Sequence, residues 1–234
     1  MIECFMNNRK LYKSFIRYFD MESIDVSHGE RLLAKQEKEE LLQKKTEKSI
    51  FRSKIGFICT KMALKEFFSL NPNELRQVVL LKGVFGQPIL TSDFSLTSTL
   101  GISLSYTRST IGILLFDQRH PMGLDIEEKT VEDAPFLVDF LTVDELELIQ
   151  MNKEVLTKEM FFSAKESLSK ILKTGLTSPL FIYEISDFKI TDASTFLYFK
   201  NFTQYHTEVT VYRNEYRSIT YPINSQKTLK ECII

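Results

Sequence analysis

The closeness of successive strand-like segments restricts the fold more than any other feature of this sequence. The segments 101–107 (GISLSYT) and 109–117 (STIGILLFD) are rich in β-branched residues and are separated by a single residue. Further along, 205–213 and 215–221 are separated only by Asn214, a residue suited to a tight hairpin turn. Connections this short cannot carry a parallel crossover, so the sheets are predicted to be mainly antiparallel.

Helical segments accompany these strands in both parts of the chain. Their spacing of apolar residues and their content of helix formers predict helices over 30–48, 52–68, 133–150 and 155–173. Each part therefore contains helices and strands in similar proportion. The sequence predicts an α+β fold with a join near residues 117–120.

Composition excludes several classes of function. The 234 residues carry a formal charge of −1, so a general nucleic-acid binder is disfavoured. No apolar run approaches the roughly 18–20 residues of a membrane helix, and the opening segment has no apolar core of signal-peptide length. The three cysteines and three histidines are scattered, which disfavours a zinc cage and favours a reducing cytosol. Any metal is expected to be a hard cation such as Mg²⁺, held by carboxylates.

The segment Gly123–Glu128 (GLDIEE) places two carboxylates on one side of a predicted strand. Alternate side chains of a strand share a face, so Leu124 and Ile126 are predicted to point into the core. Asp125 and Glu127 then lie together on the opposite face. Neighbouring carboxylates repel each other unless a cation lies between them or water surrounds both. The segment is therefore either a magnesium site or a solvent-facing strand end.

A second group of charges lies on the predicted helix 155–173. Its apolar stripe consists of Met160, Ala164, Leu168, Ile171 and Leu172. Glu166 and Lys170 then lie on the far side with Lys173, and Lys165 lies at the margin. A carboxylate with flanking lysines suits a metal-bound diphosphate, because the metal bridges phosphate oxygens and the ammonium groups neutralise the rest. The alternative is an i,i+4 pair that supports a solvated helix face.

Taken together, the two segments resemble the 4′-phosphopantetheinyl transferase superfamily. That family shows Gly-hydrophobic-Asp-x-Glu and, after a spacer, Phe/Trp-Ser-x-Lys-Glu-Ala/Ser-x-x-Lys. The chain matches these motifs with Gly123–Glu127 and Phe162–Lys170, in the same order and with similar separation. Weaker similarities are the turn Gly86-Gln87-Pro88 and the strand Ile102–Thr107, which resembles a family strand containing Ser-His.

The resemblance also implies an architecture. The length of the chain and the residues of the second motif are similar to those of the larger, pseudo-dimeric surfactin/enterobactin-synthetase group. That group implies two similar halves, 1–118 and 119–234, each a small, mainly antiparallel sheet packed with helices and related by a pseudo-twofold. The first half is expected to contact the 3′-phosphate and adenine of coenzyme A, and the second to carry the metal site and catalytic helix.

The resemblance further implies a reaction. The chain would move the 4′-phosphopantetheine group of coenzyme A to a serine of an apo acyl or peptidyl carrier protein, with Mg²⁺, releasing adenosine 3′,5′-bisphosphate. By analogy Asp125, Glu127 and Glu166 hold the metal, while Glu166 and Lys170 act in catalysis. Contacts with coenzyme A are implied for Arg52, Ser53, Lys61, Gln87, Pro88, Ser105, Tyr106, Lys165 and Lys170. A cytoplasmic monomer serving siderophore or other secondary-metabolite synthases is expected.

Two positions depart from the family pattern. Tyr106 stands where the family has a histidine that contacts the nucleotide, and it offers no positive charge. Gln87 replaces the commoner lysine. These departures predict a weakened hold on the 3′-phosphate. They also leave open a rival function, a catalytically degenerate module that binds coenzyme A or a carrier protein without turnover.

Overall fold

A computed structural model of the chain describes residues 2–92, 98–130 and 135–228. Within these residues the strands are Ile2–Asn7 (β1), Lys10–Asp20 (β2), Val79–Lys82 (β3), Pro88–Thr91 (β4), Leu100–Tyr106 (β5), Thr110–Asp117 (β6), Gly123–Glu128 (β7), Ile185–Ile190 (β8), Thr195–Phe199 (β9), Tyr205–Tyr212 (β10), Glu215–Pro222 (β11) and Gln226–Thr228 (β12). The α-helices are Val26–Gly29 (α1), Lys35–Leu42 (α2), Glu47–Phe68 (α3), Pro72–Gln77 (α4), Val143–Met151 (α5) and Lys158–Leu172 (α6). None of the helices described is long and apolar enough to cross a membrane.

The chain divides into two compact units. The first consists of Met1–His120 together with Gln226–Ile234, and the second of Pro121–Ser225. The division falls close to the predicted join. However, the strand β12 belongs to the first unit, because it pairs with β1. The roles predicted for the two halves, and their pseudo-twofold relation, stay predictions.

The first unit contains a five-stranded antiparallel sheet in the order β12-β1-β2-β6-β5, and a β3–β4 hairpin. The helix α3 packs against β2 and β6. Ile55, Ile58 and Ala63 of this helix are fully buried, as their spacing predicts. The helix begins at Glu47 rather than at 52, because the Thr46 hydroxyl accepts a hydrogen bond from the Ser49 amide and caps it.

The second unit has its own five-stranded antiparallel sheet, in the order β7-β11-β10-β9-β8. The predicted hairpin is confirmed as β10 and β11, although the left-handed turn residue is Arg213, with φ of 53°, rather than Asn214. The helix α6 packs against this sheet, and its Met160, Phe161 and Leu168 are buried. The α+β fold and its antiparallel sheets are therefore confirmed.

Two predicted helices are interrupted in the structure. The predicted helix 30–48 is divided into a 3-10 turn, Glu30–Leu32, and α2. Within the predicted helix 133–150, the described residues form a 3-10 turn, Pro135–Phe140, followed by α5. In the second case Thr142 caps the new helix and interrupts the first. Residues 131–134 lie outside the described part of the chain.

Lys61 lies inside the first unit rather than at a binding surface. Its side chain is fully buried, and its ammonium pairs with Glu37 Oε1 at 3.0 Å. The ammonium also donates to the carbonyl oxygens of Leu75, at 3.1 Å, and Val78. The Lys61 ammonium is therefore paired and hydrogen-bonded within the core. The structure does not support the implied contact between Lys61 and coenzyme A.

We expect Lys61→Met to lower the free energy of unfolding by about 3–5 kcal/mol, because it leaves the buried Glu37 carboxylate without its cation. Urea denaturation monitored by circular dichroism measures this loss. The exposed Lys65, one turn further along α3, provides the matched control Lys65→Met, for which we expect a change within about 0.5 kcal/mol. Equal stability of the two variants would contradict the structural role of Lys61.

Candidate active site

The strand β7 presents two of its acidic residues, Asp125 and Glu127, towards α6. Leu124 and Ile126 are buried on one face of the strand, and Asp125 and Glu127 alternate with them, as predicted. The helix can approach this strand closely because residue 123 is glycine: a Cβ there would overlap the Ser167 carbonyl oxygen.

Ser167 links the helix to two strands of the sheet. Its hydroxyl donates to the Gly123 carbonyl oxygen at 2.9 Å and accepts from the Thr220 amide at 3.0 Å. Both bonds are buried, so each satisfies polar groups that water cannot reach. The position of α6 over β7, and with it the separation of the acidic residues on the two elements, is thereby fixed.

Asp125 is held from two sides by residues of α6. Its side chain is almost completely buried. The Ser163 hydroxyl donates to Oδ2 at 2.9 Å, and the Lys170 ammonium pairs with Oδ1 at 2.7 Å. Lys170 also donates to the Leu124 carbonyl oxygen at 2.7 Å. Asp125 and Lys170, which the sequence predicts for the same site, are therefore in direct contact.

Glu127 and Glu166 complete a group of three mutually repelling carboxylates. Burial, together with the charges of Asp125 and Glu166, raises the pKa of Glu127 to about 8. Burial and Asp125 also raise the pKa of Glu166, against the opposing effect of Lys170. The predicted set Asp125, Glu127, Glu166 and Lys170 thus shares one electrostatic environment, in which negative charge exceeds positive charge.

The donor set suits a hard divalent cation. Carboxylate oxygens are the ligands that Mg²⁺ prefers, and a cation would relieve the repulsion among these three groups. In the described part of the chain, no three acidic, histidine or cysteine side chains converge as a ready-made metal cage. In this structure the two oxygens of Asp125 accept hydrogen bonds from Ser163 and Lys170.

Lys165 lies apart from this group, which corrects the predicted position at the helix margin. Its side chain is completely buried, and its ammonium pairs with Glu145 Oε2 at 2.5 Å and donates to the Phe140 carbonyl oxygen at 2.9 Å. Glu145 also caps α5 through the Thr142 amide and accepts from the Ile185 amide. With its donors used inside the core, Lys165 is not available to a diphosphate in this structure.

The residues predicted to hold the nucleotide lie in the first unit. Arg52 is exposed, and its guanidinium carbon lies 4.6 Å from the centre of the Tyr106 ring. Burial raises the pKa of Tyr106 to about 12. Ser105 is buried on β5, and Ser53 is half-buried beside Arg52.

Gln87 and Pro88 lie at the β3–β4 turn. The Gln87 side chain accepts a hydrogen bond from the Phe85 amide at 3.0 Å, and its backbone carbonyl accepts from the Gly83 amide at 2.7 Å. Pro88 begins β4 opposite Lys82. Gln87 therefore shapes its own turn, whatever further contact it makes.

Two residues of this arrangement have roles that the sequence interpretation does not assign. Ser163 belongs to the second motif, but its bond to Asp125 depends on the packing of α6 against β7. Glu145 has a detectable local signal, since Thr142 and Glu145 have the spacing of a capping box. That signal identifies a helix start and does not reveal the lysine that pairs with the carboxylate.

Comparison with known proteins finds a family model that matches the second part of the chain. Residues 121–221 match the model of the 4′-phosphopantetheinyl transferase superfamily, a region that contains Asp125, Glu127, Glu166 and Lys170. The match supports, over this region of the chain, the superfamily predicted from the two motifs. The surfactin/enterobactin-synthetase subtype stays a prediction.

A solved structure, the holo-[acyl-carrier-protein] synthase (AcpS) of Thermotoga maritima, is similar to part of the chain. The two are 24% identical over 51% of this chain and 78% of that chain, with a TM-score of 0.34. Among the curated proteins compared with the chain, none matched.

We expect Ser163→Ala to lower the free energy of unfolding by about 1–3 kcal/mol, because the buried Asp125 carboxylate loses a hydrogen bond that water cannot replace. Thermal and urea denaturation measure the loss. Ser186→Ala, at an exposed position of β8, is the control and should change stability by less than about 0.5 kcal/mol. A Ser163→Ala variant as stable as this control would show that the bond does not hold Asp125.

Proposed function

We propose that the chain transfers the 4′-phosphopantetheine group of coenzyme A to a serine hydroxyl of an apo acyl or peptidyl carrier protein. The observation that supports this most directly is the group formed by Asp125, Glu127, Glu166 and Lys170 inside the region that matches the family. Three carboxylates and one ammonium on a fixed strand and helix suit a metal-bound diphosphate better than a structural role, since a structural role favours fully paired charges.

The proposed reaction balances without a covalent enzyme intermediate. The carrier serine loses its proton, and its oxygen forms a bond to the phosphorus that bears the pantetheine arm. The bond from that phosphorus to the bridging oxygen breaks, and adenosine 3′,5′-bisphosphate leaves. Such a transfer depends mainly on positioning and charge neutralisation.

Asp125, Glu127 and Glu166 would hold Mg²⁺. When bound, the ion would neutralise charge on the diphosphate. Lys170 keeps Asp125 in place and would place its ammonium beside the phosphate oxygens. Glu166 would accept the serine proton directly or through a water, a role for which a carboxylate near the reacting oxygen is suited.

Some of the other residues implied by the resemblance are proposed to contact coenzyme A. Arg52, Ser53 and Ser105 are proposed to contact the 3′-phosphate, and Tyr106, Gln87 and Pro88 the nucleotide. Lys61 and Lys165 are not proposed to contact coenzyme A, because both ammonium groups are paired inside the core. We further propose a cytoplasmic monomer that serves a siderophore synthase or another secondary-metabolite synthase.

We expect Asp125→Asn to reduce transfer by at least about 100-fold, because the neutral amide no longer contributes charge to the metal-binding group. Intact-mass spectrometry measures transfer as the gain of one phosphopantetheine on apo carrier proteins incubated with the enzyme, coenzyme A and Mg²⁺. The gain should also be lost when EDTA replaces Mg²⁺.

Asp187→Asn, at an exposed position of β8, is the matched control for the same change of charge. Circular dichroism and thermal denaturation show whether each variant is folded. Transfer by Asp125→Asn at the control rate would refute the proposed site. If the unaltered protein bound coenzyme A but modified no carrier, the degenerate binding module would be the better interpretation.

A further inference from the structure

The ion pair between Lys170 and Asp125 differs from the other lysine–carboxylate pair of α6. In the pair of Lys165 with Glu145, both side chains are completely buried. Asp125 is buried as well, at 5% side-chain exposure, but the Lys170 side chain is 25% exposed and lies in the last turn of the helix. A lysine that reaches water keeps rotational freedom along its four-carbon stem. The Lys170 ammonium can therefore leave its carboxylate more easily than the Lys165 ammonium can.

The two oxygens of Asp125 have partners of different kinds. Oδ2 accepts a hydrogen bond at 2.9 Å from the hydroxyl of Ser163, a completely buried residue of α6. Oδ1 pairs with the Lys170 ammonium at 2.7 Å, and this ammonium also donates to the Leu124 carbonyl oxygen at 2.7 Å. Because the Ser163 bond does not involve the lysine, it holds the carboxylate in place when Lys170 moves. Oδ1 is thus the oxygen that can change its partner.

Lys170 also acts on the two other carboxylates of the site. It lies four residues after Glu166 on α6, and Glu127 lies two residues after Asp125 on the same face of β7. Burial and the charge of Asp125 raise the pKa of both glutamates, and Lys170 opposes this rise. The ammonium therefore reduces a repulsion that a divalent cation would also reduce, so the two cations would serve the same carboxylates.

We propose that a divalent cation and Lys170 compete for Oδ1 of Asp125, and that the displaced ammonium turns to the diphosphate of coenzyme A. The inference rests on the proposed function, which supplies both the cation and the diphosphate. A divalent cation bound to Oδ1 would lie beside the ammonium, and two positive charges so close in a buried site repel each other strongly. The oxygens of a diphosphate are suited to accept charge-assisted hydrogen bonds from the displaced group. The two contacts proposed for Lys170 therefore follow one another.

This exchange couples the binding of the metal to the binding of coenzyme A. Without a diphosphate, the metal must separate Lys170 from a buried carboxylate, which lowers the affinity for the metal. With coenzyme A present, the displaced ammonium gains new partners, and the affinity rises. By linkage, the metal raises the affinity for coenzyme A by the same factor. We therefore expect the metal and coenzyme A to bind together, and the metal alone to bind weakly.

Electron paramagnetic resonance of free Mn²⁺ measures metal binding without turnover, because no carrier protein is present. Without coenzyme A, Lys170→Met should bind Mn²⁺ about tenfold more tightly than the unaltered protein, since the competing ammonium is gone. Coenzyme A should tighten Mn²⁺ binding to both proteins, by a factor that is about tenfold smaller in Lys170→Met. The Mn²⁺ that coenzyme A binds in solution is measured in the absence of protein and subtracted.

Two variants separate competition from a general effect of charge. Lys173→Met removes the same charge from an exposed residue that follows α6, and it should change Mn²⁺ affinity by less than about threefold. Lys170→Arg keeps a cation that pairs with carboxylates, so Mn²⁺ without coenzyme A should bind as weakly as to the unaltered protein. If Lys170 only supported Asp125, Lys170→Met would instead weaken Mn²⁺ binding with and without coenzyme A, and that result would overturn the exchange.

Thermal denaturation gives a second measurement. Mn²⁺ alone should raise the melting temperature of Lys170→Met more than that of the unaltered protein, because a ligand stabilises the fold that binds it more tightly. The same experiment shows whether Lys170→Met is folded. If it is not, Lys170→Gln takes its place, since its amide can still donate to Asp125 but carries no charge.

The inference and the proposed function can fail separately. If Lys170→Met, or Lys170→Gln in its place, binds Mn²⁺ no more tightly than Lys173→Met, the exchange is refuted, even when the carrier-protein assay shows transfer. If the variant gains Mn²⁺ affinity but the unaltered protein modifies no carrier, the competition for Oδ1 is supported and the proposed function is refuted.

Discussion

A buried lysine–glutamate pair ties together the helices and strands in each unit. In both cases the lysine lies on the long helix, α3 or α6, and the glutamate lies in the first turn of a shorter helix. The carboxylate also accepts a hydrogen bond from the backbone amide of the residue that precedes its own helix. It accepts another from a strand amide, that of Leu80 in one unit and Ile185 in the other. One carboxylate thus fixes three elements, and removing its cation would leave a charge that water cannot reach.

The pairing of Lys165 with Glu145 also helps to position the acidic group formed by Asp125, Glu127 and Glu166. Lys165 is committed to the core, and the next residue, Glu166, lies among Asp125, Glu127 and Lys170. Because Lys165 fixes the rotation of the helix, neighbouring positions divide between the core and the acidic group. Ser163 and Ser167 then fix the distance from α6 to β7, so that the carboxylates on the two elements stay close despite their repulsion.

Much of this arrangement could be predicted from the sequence, and the rest depends on distant partners. The short connections around Arg108 and Asn214 correctly predict antiparallel strands, since no crossover fits into them. The alternation along β7 correctly places Asp125 and Glu127 on one face. The spacing of the motifs could not show that Lys61 and Lys165 are buried. Their burial depends on ion pairs with Glu37 and Glu145, which belong to other helices.

The order of the strands in the first sheet has a consequence for how the protein is made. The outer strand β12 is formed by Gln226–Thr228, yet its partner β1 begins at Ile2. In the sequence, the second unit therefore lies between β6 and β12, which are the last two strands of the first sheet in chain order. During synthesis the hydrogen-bonding edge of β1 stays open to other strands until Gln226–Thr228 has left the ribosome. Early folding of the inserted unit would shorten the effective distance between these ends and so protect that edge.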